Sequence, residues 1–294
     1  MTARDAALAL LASVIWGCGF VAGVVALQSF TPAQLTALRF LLAGSLAVVV
    51  PRPPIPWPSI VAIGATLFTG QFLLVFFAFA HGLPPGVAAV SQQRQAFFTV
   101  LLAAVVLRDV PGPRHCIAML MALAGLSVIA STRGGDVTLT GLALGLAAAL
   151  SWAVGNVLVK RTPDAPIVPL VVWCSLVPPL PALAVSLVTD EHESLVETLR
   201  AASWQSLVAV IYLAGPATIT AYAAWGHLLQ RCSTAALAPF ALLAPCVGVV
   251  ASAIAFGEVP GAARLAGMVL ILGGLAVVLV SPVAWTTPQP PSGR

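Results

Sequence analysis

Charged residues are scarce in this chain of 294 residues: Lys, Arg, Asp and Glu together make up only 7% of it. Soluble globular domains carry about 25%. Hydrophobic residues account for 60% of the sequence, and the mean hydropathy is +1.04. This composition excludes an ordinary soluble domain, because too few charges remain to cover a water-facing surface. It indicates a chain whose main solvent is the lipid bilayer.

The sequence also lacks the motifs of metal and covalent chemistry. Its five cysteines are odd in number and form no Cys-x-x-Cys pair: Cys18, Cys116, Cys174, Cys232 and Cys246. They are typical of small packing residues rather than of a metal or redox site. No His-Glu-x-x-His motif and no nucleophile–base pair within an apolar run is recognisable. We therefore expect neither a metal, nor a cofactor, nor an enzymatic activity.

Apolar runs of about 20 residues fill most of the chain, long enough to cross a hydrocarbon core as helices. The first run follows Arg4 as in a signal peptide, but it is long enough to span the membrane, and a later run mirrors it. The predicted fold class is an all-α polytopic membrane protein. We predict ten transmembrane helices, at 5–27, 32–50, 57–80, 84–107, 114–131, 138–160, 166–189, 203–229, 232–256 and 262–284.

The second half of the chain repeats the first. The motif Val110–Gly112 recurs 149 residues later as Val259–Gly261, and Trp16 in the first run has a counterpart, Trp152, in the sixth. Each half contains five predicted helices, an odd number, so the second half enters the membrane from the opposite side. Inverted repeats of this kind typically enclose a substrate site between their halves. The pattern therefore predicts a carrier that works by alternating access.

We predict two repeat units, 1–131 and 138–284, followed by a disordered, proline-rich tail, 285–294. Lys and Arg near the ends of membrane helices favour the cytoplasmic side. With both termini in the cytoplasm, eight of them lie inside: Arg4, Arg52, Arg108, Arg114, Lys160, Arg161, Arg231 and Arg294. Three lie outside: Arg133, Arg200 and Arg264. This bias predicts the orientation and explains the net charge of +4 without a nucleic-acid partner.

Further motifs carry a resemblance to a known family. The first half has Arg39–Phe40 in its second helix and Gln92–Thr99 in its fourth, and each half has an acidic-x-Pro-Gly turn before a glycine-containing helix. Together with the paired tryptophans, these features resemble the EamA-type transporters of the drug/metabolite transporter superfamily. A proline common midway along helix 4 of that family is replaced here by Gln95–Ala96, while the equivalent Pro245 is present in helix 9.

The resemblance extends to bacterial exporters of amino acids and related metabolites. It implies a monomeric carrier in the bacterial inner membrane that exports such small molecules with broad specificity. The alternative is an exporter of aromatic or cationic drug-like compounds by proton antiport. That mechanism generally uses a membrane-buried carboxylate, and every Asp and Glu here lies in a predicted loop or at the end of a run. Gradient-driven export is therefore favoured, with a histidine or loop-carboxylate relay as the alternative.

Polar residues in predicted helix 4 share one face. Ser91, Arg94 and Gln95 fall at positions i, i+3 and i+4, and Arg94 lies about 15 Å along the helix, near the bilayer centre. A charge at that depth is costly and needs a reason. We expect Arg94 to bind a cargo carboxylate through paired hydrogen bonds, with Ser91 and Gln95 beside it. The alternative is that Arg94 caps carbonyl groups of a broken helix.

Residues near mid-membrane in other predicted helices are expected to line the same cavity: Trp16, Gln71, Trp152, Asn156 and Tyr222. Tryptophan prefers the membrane interfaces, so two symmetry-related tryptophans at depth indicate a cavity wall that could cover an apolar or cationic part of the cargo. Ordinary helix packing is the alternative. Arg39 is expected to be architectural, with a direct ligand role as the alternative.

Glycines and prolines predict how the helices pack and bend. Gly19 and Gly23 form a small-x-x-x-small motif, which allows close helix approach. Pro216, Pro239 and Pro245 lie inside predicted helices 8 and 9, where each removes a backbone hydrogen bond. We expect these prolines to act as hinges for alternating access.

Overall fold

A computed structural model describes residues 1–81, 85–131, 138–189, 194–257 and 261–279. Throughout these ranges the regular secondary structure is helical, with no strand. The all-helical class is therefore confirmed for the described part of the chain. The predicted tail, 285–294, the acidic loop at 190–193 and the side chain of Ser91 lie outside it.

The first part of the chain forms six α-helices and a π-helical segment. Thr2 and Thr31 begin the first two helices through capping boxes, in which each hydroxyl and the side chain three residues later satisfy backbone N–H groups. The helices are α1 (Ala3–Ala26), α2 (Pro32–Ser45), α3 (Trp57–Ile63), α4 (Gln71–Ala80), α5 (Pro85–Leu107) and α6 (Pro113–Ser131). We call Gly64–Gly70, which joins α3 to α4, the first π segment.

The second part forms nine α-helices and a second π segment, Gly215–Thr220, which joins two of them. The helices are α7 (Leu139–Lys160), α8 (Ile167–Cys174), α9 (Pro179–Thr189), α10 (Leu195–Ala201), α11 (Trp204–Ala214), α12 (Ala221–Arg231), α13 (Thr234–Ala241), α14 (Ala244–Phe256) and α15 (Ala262–Leu279). Thr138, Ser203 and Ser233 cap the starts of α7, α11 and α13 with their hydroxyls.

Several of these elements are long enough to cross a membrane. Six stretches have the required length and apolar composition: Ala3–Ala26, Trp57–Val75, Leu139–Lys160, Ile167–Thr189, Trp204–Arg231 and Thr234–Phe256. Three shorter apolar helices accompany them: Pro32–Val48, Gln93–Leu107 and Leu265–Val277. The described residues thus contain the elements of a polytopic membrane protein.

The helices are irregular near the three prolines expected to interrupt them. Pro216 lies at the start of the second π segment. Pro239 lies inside α13 and Pro245 in the first turn of α14, and the two helices are separated at Leu242 and Leu243. The predicted span 166–189 is interrupted as well, since α8 ends at Cys174 and α9 begins only at Pro179.

Two features were not predicted. The first π segment contains no proline, and α10 lies in a stretch predicted to be loop. A π segment results from one extra residue in a helical turn, and the glycines at both of its ends are not a specific signal for it. The sequence therefore predicts a helix over 57–80 but not the π segment within it.

The closest helix contact of α1 lies at Gly17, before the predicted motif of Gly19 and Gly23. A Cβ atom on Gly17 would lie 2.4 Å from the Cβ of Val247 on α14. A Cβ on Gly19 would meet only the Leu213 side chain, at 3.8 Å, and one on Gly23 would meet nothing within 4 Å. The close approach belongs to Gly17 because α14 crosses α1 there.

Helices α6 and α15 pack along each other through a pair of glycines. A Cβ atom on Gly125 would lie 2.4 Å from the carbonyl oxygen of Gly267, and one on Gly274 would lie 2.7 Å from that of Ala118. Real Cβ atoms do not approach backbone oxygens so closely, so only glycine allows this backbone contact.

We expect Gly125→Ala to destabilise the purified protein by about 1–3 kcal/mol, the usual cost of overpacking a close contact. Gly23→Ala is the matched control, because its new methyl group meets nothing within 4 Å and alanine favours helix. Thermal unfolding in detergent measures both. A Gly125→Ala protein as stable as the Gly23→Ala protein would contradict the packing described here.

Candidate functional site

Aromatic rings from four elements meet in the middle of the bundle. The ring centroid of Trp16 (α1) lies 5.1 Å from that of Tyr222 and 5.4 Å from that of Trp225, both on α12. Trp152 (α7) lies 6.5 Å from Trp16 and 6.2 Å from Trp225. Phe68, in the first π segment, lies 4.9 Å from Tyr222. We call these five rings the aromatic cluster; its tilted and edge-to-face pairs are attractive arrangements.

The two π segments hold α1 and α7 in place. Trp16 Nε1 donates to the carbonyl of Ala217 in the second π segment (3.1 Å). Ser151 Oγ donates to the carbonyl of Thr66 in the first (2.8 Å). In both cases a side chain from one part of the chain satisfies a carbonyl in the other, which matters in a bilayer where water cannot do so. π-helical turns are also frequent at functional sites.

Polar groups beside the aromatic cluster are incompletely paired. The Tyr222 hydroxyl donates to Gln71 Oε1 (3.4 Å), and the fully buried Asn156 donates through Nδ2 to Thr99 Oγ1 (3.2 Å). Within the described residues, Asn156 Oδ1 and Trp225 Nε1 are buried without a hydrogen-bond partner. Buried polar groups are normally paired, so these two atoms are available to a polar group of a bound molecule.

A small cavity adjoins these groups. Its polar lining comes from Asn156, Tyr222 and Trp225, and the remainder is apolar, from α3, the first π segment, α7, α8 and α12. The space open to the centre of a water-sized sphere is only about 10 Å³, room for about one water molecule. This cavity is therefore too small for a larger molecule in the present arrangement of the helices.

Arg39 of α2 lies deep in the bundle, with only 8% of its surface exposed. Its Nε donates to Thr218 Oγ1 in the second π segment (2.7 Å). Its guanidinium carbon lies 4.7 Å from the ring centroid of Phe72 and 5.3 Å from that of Phe40. Both distances fall within the range of cation–π attraction.

The predicted polar face of α5 lies apart from this cavity. Arg94 is half-buried and makes no hydrogen bond or ion pair to the described residues. Gln95 Oε1 is buried without a partner among them. Neither residue belongs to the cavity lining, and the Ser91 side chain is outside the described part. The carboxylate-binding role of Arg94 remains a prediction.

Ring contacts, a hydrogen bond and the cavity lining place Trp16, Gln71, Trp152, Asn156 and Tyr222 near one another, with Trp225 and Phe68 beside them. Their role in a common cargo site stays a prediction. Trp225 lies three positions after Tyr222, so it shares its helix face; that spacing could have identified it. Phe68 depends on the first π segment, for which the sequence has no clear signal.

Comparison with known proteins decides the family. The model of the EamA-like transporter family matches residues 5–131 and 139–280. This chain belongs to the EamA-like transporter family. It is 38% identical to a "Probable amino-acid metabolite efflux pump" of Salmonella typhimurium and 34% identical to one of Escherichia coli, in each case over 94% of this chain and 95% of the relative.

Two further similarities are more distant. A "Probable terminal-alkyne amino-acid exporter" of Streptantibioticus cattleyicolor is 26% identical over 92% of this chain and 91% of its own length. A solved structure titled "Crystal structure of protein" has a TM-score of 0.80 at 23% identity, over 95% of this chain and 98% of that one; it supports the fold alone. As a member of the EamA-like family, the chain is a membrane transporter, which matches the expectation from its composition.

Polar contacts tie the first part of this EamA-like chain to the second at one end of the bundle. We call Asp109, Lys160, Cys232 and Thr234 the Asp109 cluster. Asp109 Oδ2 accepts from Lys160 Nζ (2.9 Å), from the Thr234 backbone N–H (2.8 Å) and from its hydroxyl (3.0 Å). Lys160 Nζ also donates to the Cys232 carbonyl (2.6 Å). These four bonds join the two parts of the chain around a charged pair.

The pKa of the Asp109 carboxyl reflects these contacts. Burial raises it, but the backbone N–H of Thr234, the Lys160 ammonium and the Thr234 hydroxyl outweigh burial, so that the pKa lies below its ordinary value of 3.8. The stabilisation from Asp109 is therefore complete above pH 3.8 and is lost as the pH falls through the lowered folded-state pKa. The Asp109 carboxylate is therefore ionised at neutral pH.

At the opposite end of α1, neutral contacts join it to the start of α11. Ser29 Oγ donates to Ser206 Oγ (2.9 Å), and Ser206 Oγ donates to the Val25 carbonyl (2.9 Å). The backbone N–H of Ser203 donates to Ser29 Oγ (3.4 Å). Helix α1 and the start of α11 are thus joined through hydroxyl and backbone groups without a charged partner.

We expect Asn156→Leu to leave the thermal stability of the protein unchanged or raise it, while weakening cargo binding. Leucine has nearly the same shape and removes an unpaired buried oxygen. Thr99→Val is the matched control: it removes the same hydrogen bond but leaves Asn156 wholly unpaired, at a cost of about 1–3 kcal/mol. Thermal unfolding with and without cargo measures both variants. Equal losses of stability in the two would contradict this account.

Proposed function

We propose that this chain is a bacterial inner-membrane carrier that exports amino acids or related small metabolites by alternating access, with broad specificity and driven by the cargo gradient. The observation that carries the proposal is the aromatic cluster, built from α1, the first π segment, α7 and α12. Relatives named amino-acid metabolite efflux pumps, similar over nearly their whole length, support the cargo class.

Ten transmembrane helices in two inverted repeats give this carrier its two-sided symmetry. The two π segments support the repeat. Thr69 in the first donates to the carbonyl of Gly64, and Thr218 in the second, 149 residues later, donates to that of Leu213. Both hydroxyls therefore reach back five residues, at the same position of each half.

The contacts of α6 with α15 support the same symmetry. Gly125 faces the carbonyl of Gly267, and Gly274 faces that of Ala118. Gly274 lies 149 residues after Gly125, and Gly267 lies 149 residues after Ala118, so the two contacts are the same contact with the halves exchanged. Helix packing matches as well, because α1 contacts α14 and α12 while α7 contacts α5 and α4. Two units related in this way can exchange conformations, which is the basis of alternating access.

Cargo binds, in this proposal, at the aromatic cluster between the units. Asn156, Gln71 and the tyrosine hydroxyl are available to a polar head group, and the rings can cover an ammonium group or an apolar side chain. Ser91, Arg94 and Gln95 on α5 belong to the wall that cargo meets when the units separate. A site with few side-chain-specific polar contacts accounts for broad specificity.

Both termini are cytoplasmic in this proposal, by the distribution of Lys and Arg. The Asp109 cluster then closes the cytoplasmic end and the serine contacts of α1 with α11 close the outer end. Export requires the Asp109 cluster to open for loading and the serine contacts to break for release.

The second candidate is an exporter of aromatic or cationic compounds by proton antiport. The aromatic cluster favours it, since three tryptophans and a tyrosine suit a cation. It requires a proton-carrying group, and the described helices hold acidic residues only in the first turns of α1 and α10. Amino-acid export therefore remains the better proposal.

Purified protein in liposomes tests the function. We expect labelled L-leucine to enter faster when the liposomes are pre-loaded with unlabelled leucine, because a carrier exchanges cargo, and to do so without an imposed proton gradient. Labelled tetraphenylphosphonium serves as the cationic comparison. Uptake of that cation driven by a proton gradient, without any amino-acid exchange across a panel of neutral amino acids, would favour the second candidate.

The Asp109 cluster yields a separate prediction. Asp109→Asn removes the charge that accepts from Lys160 and Thr234, so the closed end should open more often. In a protein whose other cysteines are replaced, we expect a thiol reagent to label Cys232 about fivefold faster or more, given about 1–3 kcal/mol for such bonds. Asp164→Asn is the control, because Asp164 is exposed. Equal labelling in both variants would exclude closure by this cluster.

A further inference from the structure

We propose that Arg39, with Thr218 as its positioning residue, is the carboxylate-binding residue of the transport site. The proposal rests on the proposed function for its cargo class, and it concerns a residue that the sequence alone marks as architectural. It also distinguishes Arg39 from Arg94, the arginine expected to hold the cargo carboxylate.

The hydrogen bonding of Arg39 leaves its outer edge available. Only Nε is paired within the described residues, by donation to Thr218 Oγ1 at 2.7 Å. The two terminal amino groups make no hydrogen bond there, although the side chain is more than nine-tenths buried. A guanidinium offers five N–H donors in a planar fork that matches a carboxylate, and four of them remain.

The charge of Arg39 is unbalanced. Arg39 makes no ion pair with a described residue; the pair between Lys160 and Asp109 lies at the end of the bundle. Two aromatic rings, Phe72 at 4.7 Å and Phe40 at 5.3 Å, partly stabilise the cation. A buried cation without a counter-charge is costly, and such residues in membrane proteins generally mark substrate pathways. A cargo carboxylate would supply the missing charge.

Thr218 has the geometry of a positioning residue. Its hydroxyl donates to the carbonyl of Leu213 (2.7 Å), five residues earlier, and accepts from Arg39 Nε. Both hydrogen-bonding directions are used, so the hydroxyl is fixed and holds the guanidinium by one corner. Because the π segment determines where this hydroxyl points, the segment also determines the orientation of Arg39.

Arg39 is connected to the aromatic cluster through neighbouring rings. Phe40 lies 4.9 Å from Phe68, which lies 4.9 Å from Tyr222. Thr218 is four residues before Tyr222 on the same helical stretch, and Phe72 directly follows Gln71. A zwitterion can therefore place its carboxylate at Arg39 and its ammonium group towards the rings of the cluster. Its side chain then remains largely unselected, in agreement with broad specificity.

The test uses three probes that differ only in their head group: L-leucine, 3-methylbutylamine, which lacks the carboxylate, and 4-methylpentanoate, which lacks the ammonium. Full-length protein in detergent is titrated with each probe, and binding is followed by tryptophan fluorescence, because three tryptophans surround the site. The quantity compared is the ratio of leucine affinity to amine affinity. Variants are Arg39→Met, Arg39→Lys and Thr218→Val. Arg94→Met represents the competing arginine, and Arg200→Met, at an exposed position of α10, is the matched control.

We expect Arg39→Met to lower the affinity for leucine and for 4-methylpentanoate about tenfold or more, a loss of about 1.4 kcal/mol of binding free energy or more. The affinity for 3-methylbutylamine should not fall. Arg39→Lys should keep part of the ratio, because an ammonium retains the charge but not the fork. Thr218→Val should lower the ratio while the arginine is still present. Arg200→Met should leave the ratio as in the wild type, and Arg94→Met should lower it less than Arg39→Met does.

Other results would separate the proposal for Arg39 from the proposal that the cargo is an amino acid. If Arg39→Met retains the wild-type ratio, Arg39 is not the carboxylate site, whether or not leucine is transported; if Arg94→Met abolishes the ratio instead, Arg94 is. Should Arg39→Met fail to fold, an unchanged ratio in both Arg39→Lys and Thr218→Val overturns the proposal. Binding of 4-methylpentanoate but not leucine, dependent on Arg39, would support the site and refute amino-acid cargo. Wild-type protein that binds neither carboxylate would refute both.

Discussion

The backbone carbonyl groups of the two π segments need hydrogen-bond partners, and the centre of this transporter depends on how they find them. A helix in lipid has no water to satisfy a group that leaves the regular pattern. Trp16 on α1 and Ser151 on α7 donate to Ala217 and Thr66 in these segments. The hydrogen bonds that repair the helices thereby fix two elements of the aromatic cluster. Thr218, in the same segment as Ala217, also holds Arg39.

Charge is used sparingly and in two ways. Asp109 and Lys160 neutralise each other at one end of the bundle, where their side chains are 17% and 18% exposed. Arg39 lies in the interior without a counter-charge among the described residues. The first arrangement stabilises a closed end; the second leaves an electrostatic requirement that a small anion can meet. Because the adjoining cavity holds about one water molecule, binding of cargo at the proposed site would require the helices to move.

The sequence predicts the helices and part of the site, because apolar runs and mid-membrane polar residues are visible in it. Five residues are expected from the sequence to share a site: Trp16, Gln71, Trp152, Asn156 and Tyr222. Ring contacts join Trp16 to Trp152 and Tyr222, and a hydrogen bond joins Tyr222 to Gln71. Asn156 lines the same cavity as Tyr222. The contribution of Phe68 and the orientation of Arg39 depend on π segments, where a single extra residue rotates the side chains that follow. No periodicity in one sequence reports such an insertion, so the hydrogen bond between Arg39 and Thr218 cannot be predicted from the sequence.

The central claim is that the two halves are inverted with respect to the membrane, with the site between them. Single cysteines at Thr2 and at Thr138, which cap α1 and α7, in a protein without its native cysteines, test it directly with a thiol reagent that cannot cross the membrane. The account predicts that Thr2→Cys is labelled only from the cytoplasmic side and Thr138→Cys only from the outer side. Labelling of both from the same side of intact cells or inverted vesicles would contradict it.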